Sequence, residues 1–175
     1  SVSVNCHGRY VGSGALAGSV RALQLVTADG RVLELSRQQQ PALFAAVIGG
    51  YGGLGVITEV ELDLARNERM ARSVEQLALV DYPDWFNAHV LGRPEVVLHN
   101  ADLLPPDFNA PLAISWSRSN AALTDARRLM PTRASHAKDQ NLIWAASELP
   151  GGDQLRDLYQ TRSLLTEPRV VMRNL

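Results

Sequence analysis

Two stretches hold residues whose types and spacing could do chemistry. Gly49, Gly50, Gly52, Gly53 and Gly55 place five glycines within seven residues, a density that lets backbone come within contact distance of a ligand. Inside it, Gly50-x-Gly52-x-x-Gly55 matches the dinucleotide-binding fingerprint letter for letter, whose chemistry is the seating of a pyrophosphate on a helix N-terminus. The second stretch is Asn5-Cys6-His7-Gly8, where a thiol and an imidazole adjoin. A third, Gly8 to Gly18, carries Gly8, Gly12, Gly14 and Gly18 like a phosphate loop. No lysine follows a glycine there as the nucleoside-triphosphate motif requires, so that motif is rejected.

These stretches are only as useful as the elements that position them. Val2, Val4 and Cys6 alternate with Ser3, Asn5 and His7, a period of two that predicts an opening strand with the first set facing a core and the second polar. On a strand Cys6 and His7 point to opposite sides and form no thiolate–imidazole pair. Two alternating runs, Val20 to Thr27 and Arg31 to Leu35, flank Ala28-Asp29-Gly30, a hairpin signal because glycine accepts the positive φ of tight turns. Pro41 opens a helix over Ala42 to Ile48, stopped by Gly49-Gly50, and alternation from Val56 to Leu64 predicts a strand after it. Glu59, Glu61 and Asp63 read as the solvated face of that strand. Helix before and strand after is the reverse of what the dinucleotide fingerprint needs, so the pattern argues against a Rossmann domain.

From Ala65 the texture changes, and a domain boundary is placed there, giving domains over 1–64 and 65–175. The second stretch reads as strands over Ser73 to Val80, Glu95 to Leu104 (closed by Pro105-Pro106) and Leu112 to Ser117. A helix from Trp85 to Leu91 capped by Asp84, a helix-leaning stretch over Asn120 to Met130 and a helix over Asp153 to Leu165 complete it. The class is α+β with helices on one sheet face.

Bulk properties exclude several functions. The 175 residues are 46% hydrophobic and 20% charged with a net charge of −1, which gives no pull towards nucleic acid. No apolar run approaches the ~20 residues of a membrane span, and a cytoplasmic protein is expected. Cys6 is the sole cysteine, so no intrachain disulfide forms; His89 and His136 have no partners at ligand spacing, so no metal is expected. A strand at Ser1 and an apolar pattern running into Leu175 suggest a fragment of a longer protein.

Taken together, Asn5-Cys-His-Gly8, Ser19 to Leu35, and Leu43-Phe-x-x-x-x-Gly-Gly-x-Gly-x-x-Gly-Val-Ile-Thr58 resemble the second half of the FAD-binding domain of the vanillyl-alcohol oxidase/p-cresol methylhydroxylase (PCMH-type) flavoprotein family. The motifs look most like the branch with decaprenylphosphoryl-ribose oxidase and other sugar or alditol oxidoreductases. The resemblance implies that 1–64 is the C-terminal half of an FAD-binding domain, and that 65–175 opens a partial α+β substrate-binding (cap) domain. The N-terminal FAD subdomain would be missing. It also implies cofactor contacts from Val4, Asn5, Cys6, His7 and Gly8 on one side and from Gly52, Gly53, Gly55, Val56 and Ile57 on the other. Arg9 stands where the closest branch has lysine, which leaves the substrate open.

The activity so implied is oxidation of a CH–OH donor of the sugar, alditol or sugar-lipid class by hydride transfer to flavin N5. That chemistry needs a base for the hydroxyl proton and donors for the reduced ring, and no catalytic residue is assigned. His99 and Arg118 read as a solvated face, and Trp85, Trp116 and Trp144 as core or interface. The alternatives are a catalytically inert truncated module lacking half the cleft, and a non-redox nucleotide-binding domain.

Overall fold

The computed structural model describes residues 1–104, 107–129, 136–152, 154, 158 and 169–173. The chain divides into two compact units, Ser1–Arg66 and Asn67–Leu175, each built on an antiparallel sheet.

In the first unit the Asp29-Gly30 turn joins β1 (Val20–Val26) to β2 (Val32–Ser36), with Leu23 opposite Leu35 and Leu25 opposite Leu33. Gly30 takes φ +80° at the turn. The Thr27 hydroxyl and the Arg31 guanidinium bond the Asp29 carboxylate and hold it below the usual carboxylate range. After α1 (Pro41–Val47), β3 (Val56–Leu62) returns to the other edge of β1, giving the order β2-β1-β3. Period-two alternation puts Leu23, Leu25 and Leu35 on one face, where Phe44, Val47 and Ile48 close over them. That cluster is the core of the unit.

The opening strand does not form. Val2–Val4 is a turn of 3-10 helix, ended by Asn5 in the left-handed region at φ 45°, a conformation that asparagine tolerates better than most residues. A strand needs a neighbour for its backbone, and none pairs with this one. Instead the carbonyls of Val2 and Ser3 accept from Gly49 N (3.1 Å) and Tyr51 N (2.8 Å). Val2 packs on the core, while Val4 and Cys6, expected to be inward, are exposed.

The second unit is a four-stranded sheet, β5-β6-β4-β7, of β4 (Arg69–Gln76), β5 (Val96–Asp102), β6 (Leu112–Arg118) and β7 (Arg169–Met172). Its helices are α2 (Tyr82–His89) and α3 (Ala137–Glu148). Met70, Leu112, Ile114 and Val171 are buried within it, as is Val90 just after α2. Helix α2 starts earlier than Asp84 predicts, because Pro83 fits the first turn, and Asp84 lies in that turn rather than capping it. Strand β4 ends at Gln76, although Leu77 N and Leu79 N still reach the carbonyls of Pro111 and Asn109.

The helix-leaning stretch is irregular over 120–129. Ser119 Oγ accepts from Ala121 N and Asp125 Oδ1 from Arg127 N, local bonds that compete with helix formation. Thr124 N donates to Val170 O across 46 residues. Helix α3 was not anticipated. The predicted helix over 153–165 lies outside the described residues except at Gln154 and Leu158, and so do Pro105-Pro106, Met130 and residues 174–175.

Candidate functional site

The loop between Asn5 and Val20 folds back beside the end of β3. Asn5 Oδ1 accepts from Ala17 N at 2.9 Å, Leu16 N donates to Cys6 O at 2.9 Å, and Asp63 N donates to Ser19 O at 2.8 Å. These bonds fasten the loop to the helical turn Leu16–Gly18 and to the chain leaving β3. Between them lies a cavity of about 370 Å³, within the range of small-molecule sites. Cys6, His7, Tyr10, Ser13, Ser19 and Asp63 supply its polar groups, and Leu16, Leu62 and Leu64 its apolar wall. It lies wholly within the first unit.

The ten residues expected to meet a cofactor fall into three groups. Cys6, His7 and Gly8 line the cavity. Both Cys6 and His7 are exposed there; the opposite-face argument that kept them apart disappears with the strand. Asn5 sits behind them against the start of the glycine loop, where a Cβ on Gly49 would come within 3.1 Å of the Asn5 Cβ, while Val4 ends the opening 3-10 turn and is exposed. The last group, Gly52, Gly53, Gly55, Val56 and Ile57, is not part of this cavity. Val56 pairs with Val26 beside the hairpin, and Ile57 packs on the core.

The glycine loop therefore has structural work that needs no ligand. Gly49, at φ +85°, ends α1 in the left-handed conformation common after helices. Gly55, at φ +145°, lies so close to β1 that any Cβ would overlap the Val26 carbonyl oxygen. Gly52, at φ +79°, faces open space.

Sequence reasoning missed Tyr10, Ser13, Leu16, Ser19 and Leu62 to Ala65 as cavity residues. The four glycines of the Gly8 to Gly18 loop are the available signal, but the phosphate motif they resemble needs a lysine that this loop lacks. One further prediction arises here. Gly14 lines the cavity and a Cβ there meets nothing within 4 Å. Gly14→Val should leave the unfolding free energy within about 0.5 kcal/mol of the parent, as at other unconstrained surface sites, while lowering the affinity of whatever the cavity holds. Thermal melts and ligand titration of the same variant check both halves.

In the second unit His99 is not solvated. It is half-buried, with Nε2 2.7 Å from Tyr82 Oη and Nδ1 2.9 Å from Ser115 Oγ. Burial holds the imidazole below the ordinary histidine value and raises the Tyr82 phenol. Arg118 is engaged with Glu68 at 3.2 Å rather than free for substrate. Trp85 and Trp116 are half-buried, as a core or interface role requires, but Trp144 is 59% exposed.

Fold and cavity together define an α+β chain with a small-molecule-sized site on a glycine-punctuated loop. No family model matches the chain. It is similar to cytokinin dehydrogenase 2 of Arabidopsis thaliana, 35% identical over 65 residues, 37% of this chain and 13% of that protein. It is also similar to an alditol oxidase of a Streptomyces species, 39% identical over 64 residues, 37% of this chain and 15% of the oxidase. A Neurospora crassa protein with a provisional D-arabinono-1,4-lactone oxidase name matches at 35% over 60 residues, 34% of this chain and 11% of that protein. All three names are those of oxidoreductases, and the matched stretch spans only a small part of each relative's length.

Proposed function

We propose that this chain is part of an FAD-dependent oxidoreductase that oxidises a CH–OH donor of the sugar or alditol class. The similarities support the FAD-linked oxidase family rather than one branch of it. The observation that carries the reading is the cavity beside Cys6-His7-Gly8, where the resemblance independently expects a flavin. Its lining suits such a group. Leu16, Leu62 and Leu64 offer apolar surface to a flat ring, and His7, Tyr10, Ser13 and Ser19 offer hydrogen-bonding groups to its polar edge.

In this reading Cys6, His7 and Gly8 contact the cofactor directly, and Val4 and Asn5 hold that segment in place. Gly52, Gly53, Gly55, Val56 and Ile57 would meet a more distant part of the same extended molecule. Flavin, when bound, supplies the acceptor for the donor's C–H electrons; this chain's residues bind, orient and exclude water. The cavity is smaller than a whole flavin dinucleotide. The opposite wall is then the work of another segment of the polypeptide, with the second unit a partial substrate domain and this chain alone inactive.

The test is spectroscopic. The longer protein carrying this chain should purify yellow, and alditol or sugar addition under anaerobic conditions should bleach its flavin absorbance. A colourless protein that takes up no FAD on reconstitution would refute the proposal. Flavin uptake with no bleaching by any alditol or sugar would refute the substrate class and keep the cofactor.

A further inference from the structure

Helix α2 is held to its sheet in an unusual way: it contains no fully buried residue. Its attachment rests on half-buried rings and on two polar links. Tyr82 Oη meets His99 Nε2 at 2.7 Å, and Trp85 Nε1 donates to Glu75 Oε2 at 3.0 Å. Beneath the first link His99 Nδ1 meets Ser115 Oγ, a side chain of β6 in a residue only 5% exposed. The rings of Tyr82, Trp85 and Phe86 lie 6.1, 6.0 and 5.3 Å from the His99 ring. One imidazole thus joins α2, β5 and β6.

We propose that His99 is an acid-released latch: protonating it loosens α2 from the face formed by β4, β5 and β6. A neutral imidazole has one donor and one acceptor, and hydroxyls on either side can complement either tautomer. Imidazolium must donate from both nitrogens. Whichever hydroxyl donated to the bare ring nitrogen, Tyr82 or Ser115, then loses that acceptor, and a charge stands among three aromatic rings in a half-buried site.

The surrounding groups decide whether that cost survives. From β4, register places the acid Glu75 on the same sheet face as His99, but it is exposed and already accepts from Trp85. On β5, Asp102 is bonded by Asn100 Nδ2, and register sets both on the sheet face opposite His99. On α2, Asp84 is exposed in the first turn, and Tyr82 stays neutral with its phenol raised by burial. His89 stacks on Trp85 at 5.0 Å, the ring that also flanks His99. The rings offer some cation–π attraction. Burial holds His99 below the ordinary histidine value. The sign follows: the contribution of neutral His99 is complete above the ordinary histidine value of about 6.5 and is lost as pH falls through its folded value.

The experiment uses the intact 175-residue chain, with imidazole NMR titration and amide exchange of α2 from pH 8 to pH 5. Exchange is expressed relative to intrinsic rates at each pH. His99 should titrate below the ordinary range. Opening of α2 should increase by up to about tenfold for each unit by which it does so. His99→Gln, which can still bridge two hydroxyls but does not titrate, should keep α2 docked with a flat pH course. Tyr82→Phe keeps the ring and removes the link, so α2 should be looser at neutral pH and respond less to acid. An unchanged wild-type pH course in either variant would overturn the latch, as would a His99 titration at or above the ordinary value.

Discussion

Gly55→Ala, the addition of one methyl group, should destabilise the first unit by about 3–5 kcal/mol. Two costs combine. At φ +145° the backbone is in a region that side chains rarely enter, with a strain of about 1–3 kcal/mol. The new Cβ would also overlap the Val26 carbonyl oxygen, which cannot withdraw without moving β1, and lie 3.1 Å from Leu25 Cδ1. Overpacking of this kind costs about 1–3 kcal/mol more. Gly12→Ala is the control: φ is +75°, yet nothing lies within 4 Å, so only the left-handed penalty of about 1–2 kcal/mol applies. Urea unfolding followed by far-UV circular dichroism, without any flavin present, measures both. The tryptophans Trp85, Trp116 and Trp144 all belong to the second unit and do not report on this site. Equal losses in the two variants would show that the contact with β1 is not what requires glycine at 55.

That result bears on how a glycine motif is read. Gly50-x-Gly52-x-x-Gly55 carries the letters of a phosphate loop, but the physical reason for Gly55 is the nearness of β1, which no local pattern announces. What the sequence did make legible was local. Asp29-Gly30 sets its hairpin through turn chemistry, and Pro41 with Gly49 bounds α1 through two backbone preferences. Alternation marks β1, β2, β3, β5 and β6, but it sets β4 over Ser73 to Val80 rather than Arg69–Gln76 and does not assign β7.

The failures came where distant partners decide. Val2 to Cys6 alternates like a strand, but with no neighbour to pair with it turns and gives its carbonyls to Gly49 and Tyr51 instead. Asn120 to Leu129 has helical composition, yet Thr124 is claimed by Val170, far along the chain. At the candidate site Cys6, His7 and Gly8, singled out in the sequence, line the cavity, whereas its other wall, Leu62 to Ala65, is brought there by the return of β3. His99 reads as solvated for the same reason: its partners Tyr82 and Ser115 lie 17 and 16 residues away.

Phe44→Ala should cost the first unit about 3–5 kcal/mol, the usual price of emptying a buried aromatic site. Phe44 is 3% exposed and packs with Leu23, Leu25 and Leu35 from the sheet and Val47 and Ile48 from its own segment, so no neighbouring backbone can collapse freely into the gap. Its ring also lies 5.8 Å beneath the Arg37 guanidinium, an exposed cation–π contact worth about 0.5–1 kcal/mol. A unit of 66 residues, Ser1–Arg66, has a total stability of roughly 3–10 kcal/mol. The substitution should therefore leave it marginal or unfolded at 25 °C. Phe44→Leu refills most of the volume and should lose less than half as much. The cavity must share this fate, because Leu16 and Ala17 pack on the same core and Arg37 Nη2 donates to Ala17 O at 2.8 Å. Arg37→Ala separates the two routes: it removes the cation–π contact and the bond to Ala17 but leaves the aromatic core filled. If Arg37→Ala proves as damaging to urea stability as Phe44→Ala, the loop, not the apolar cluster, is what holds this unit together.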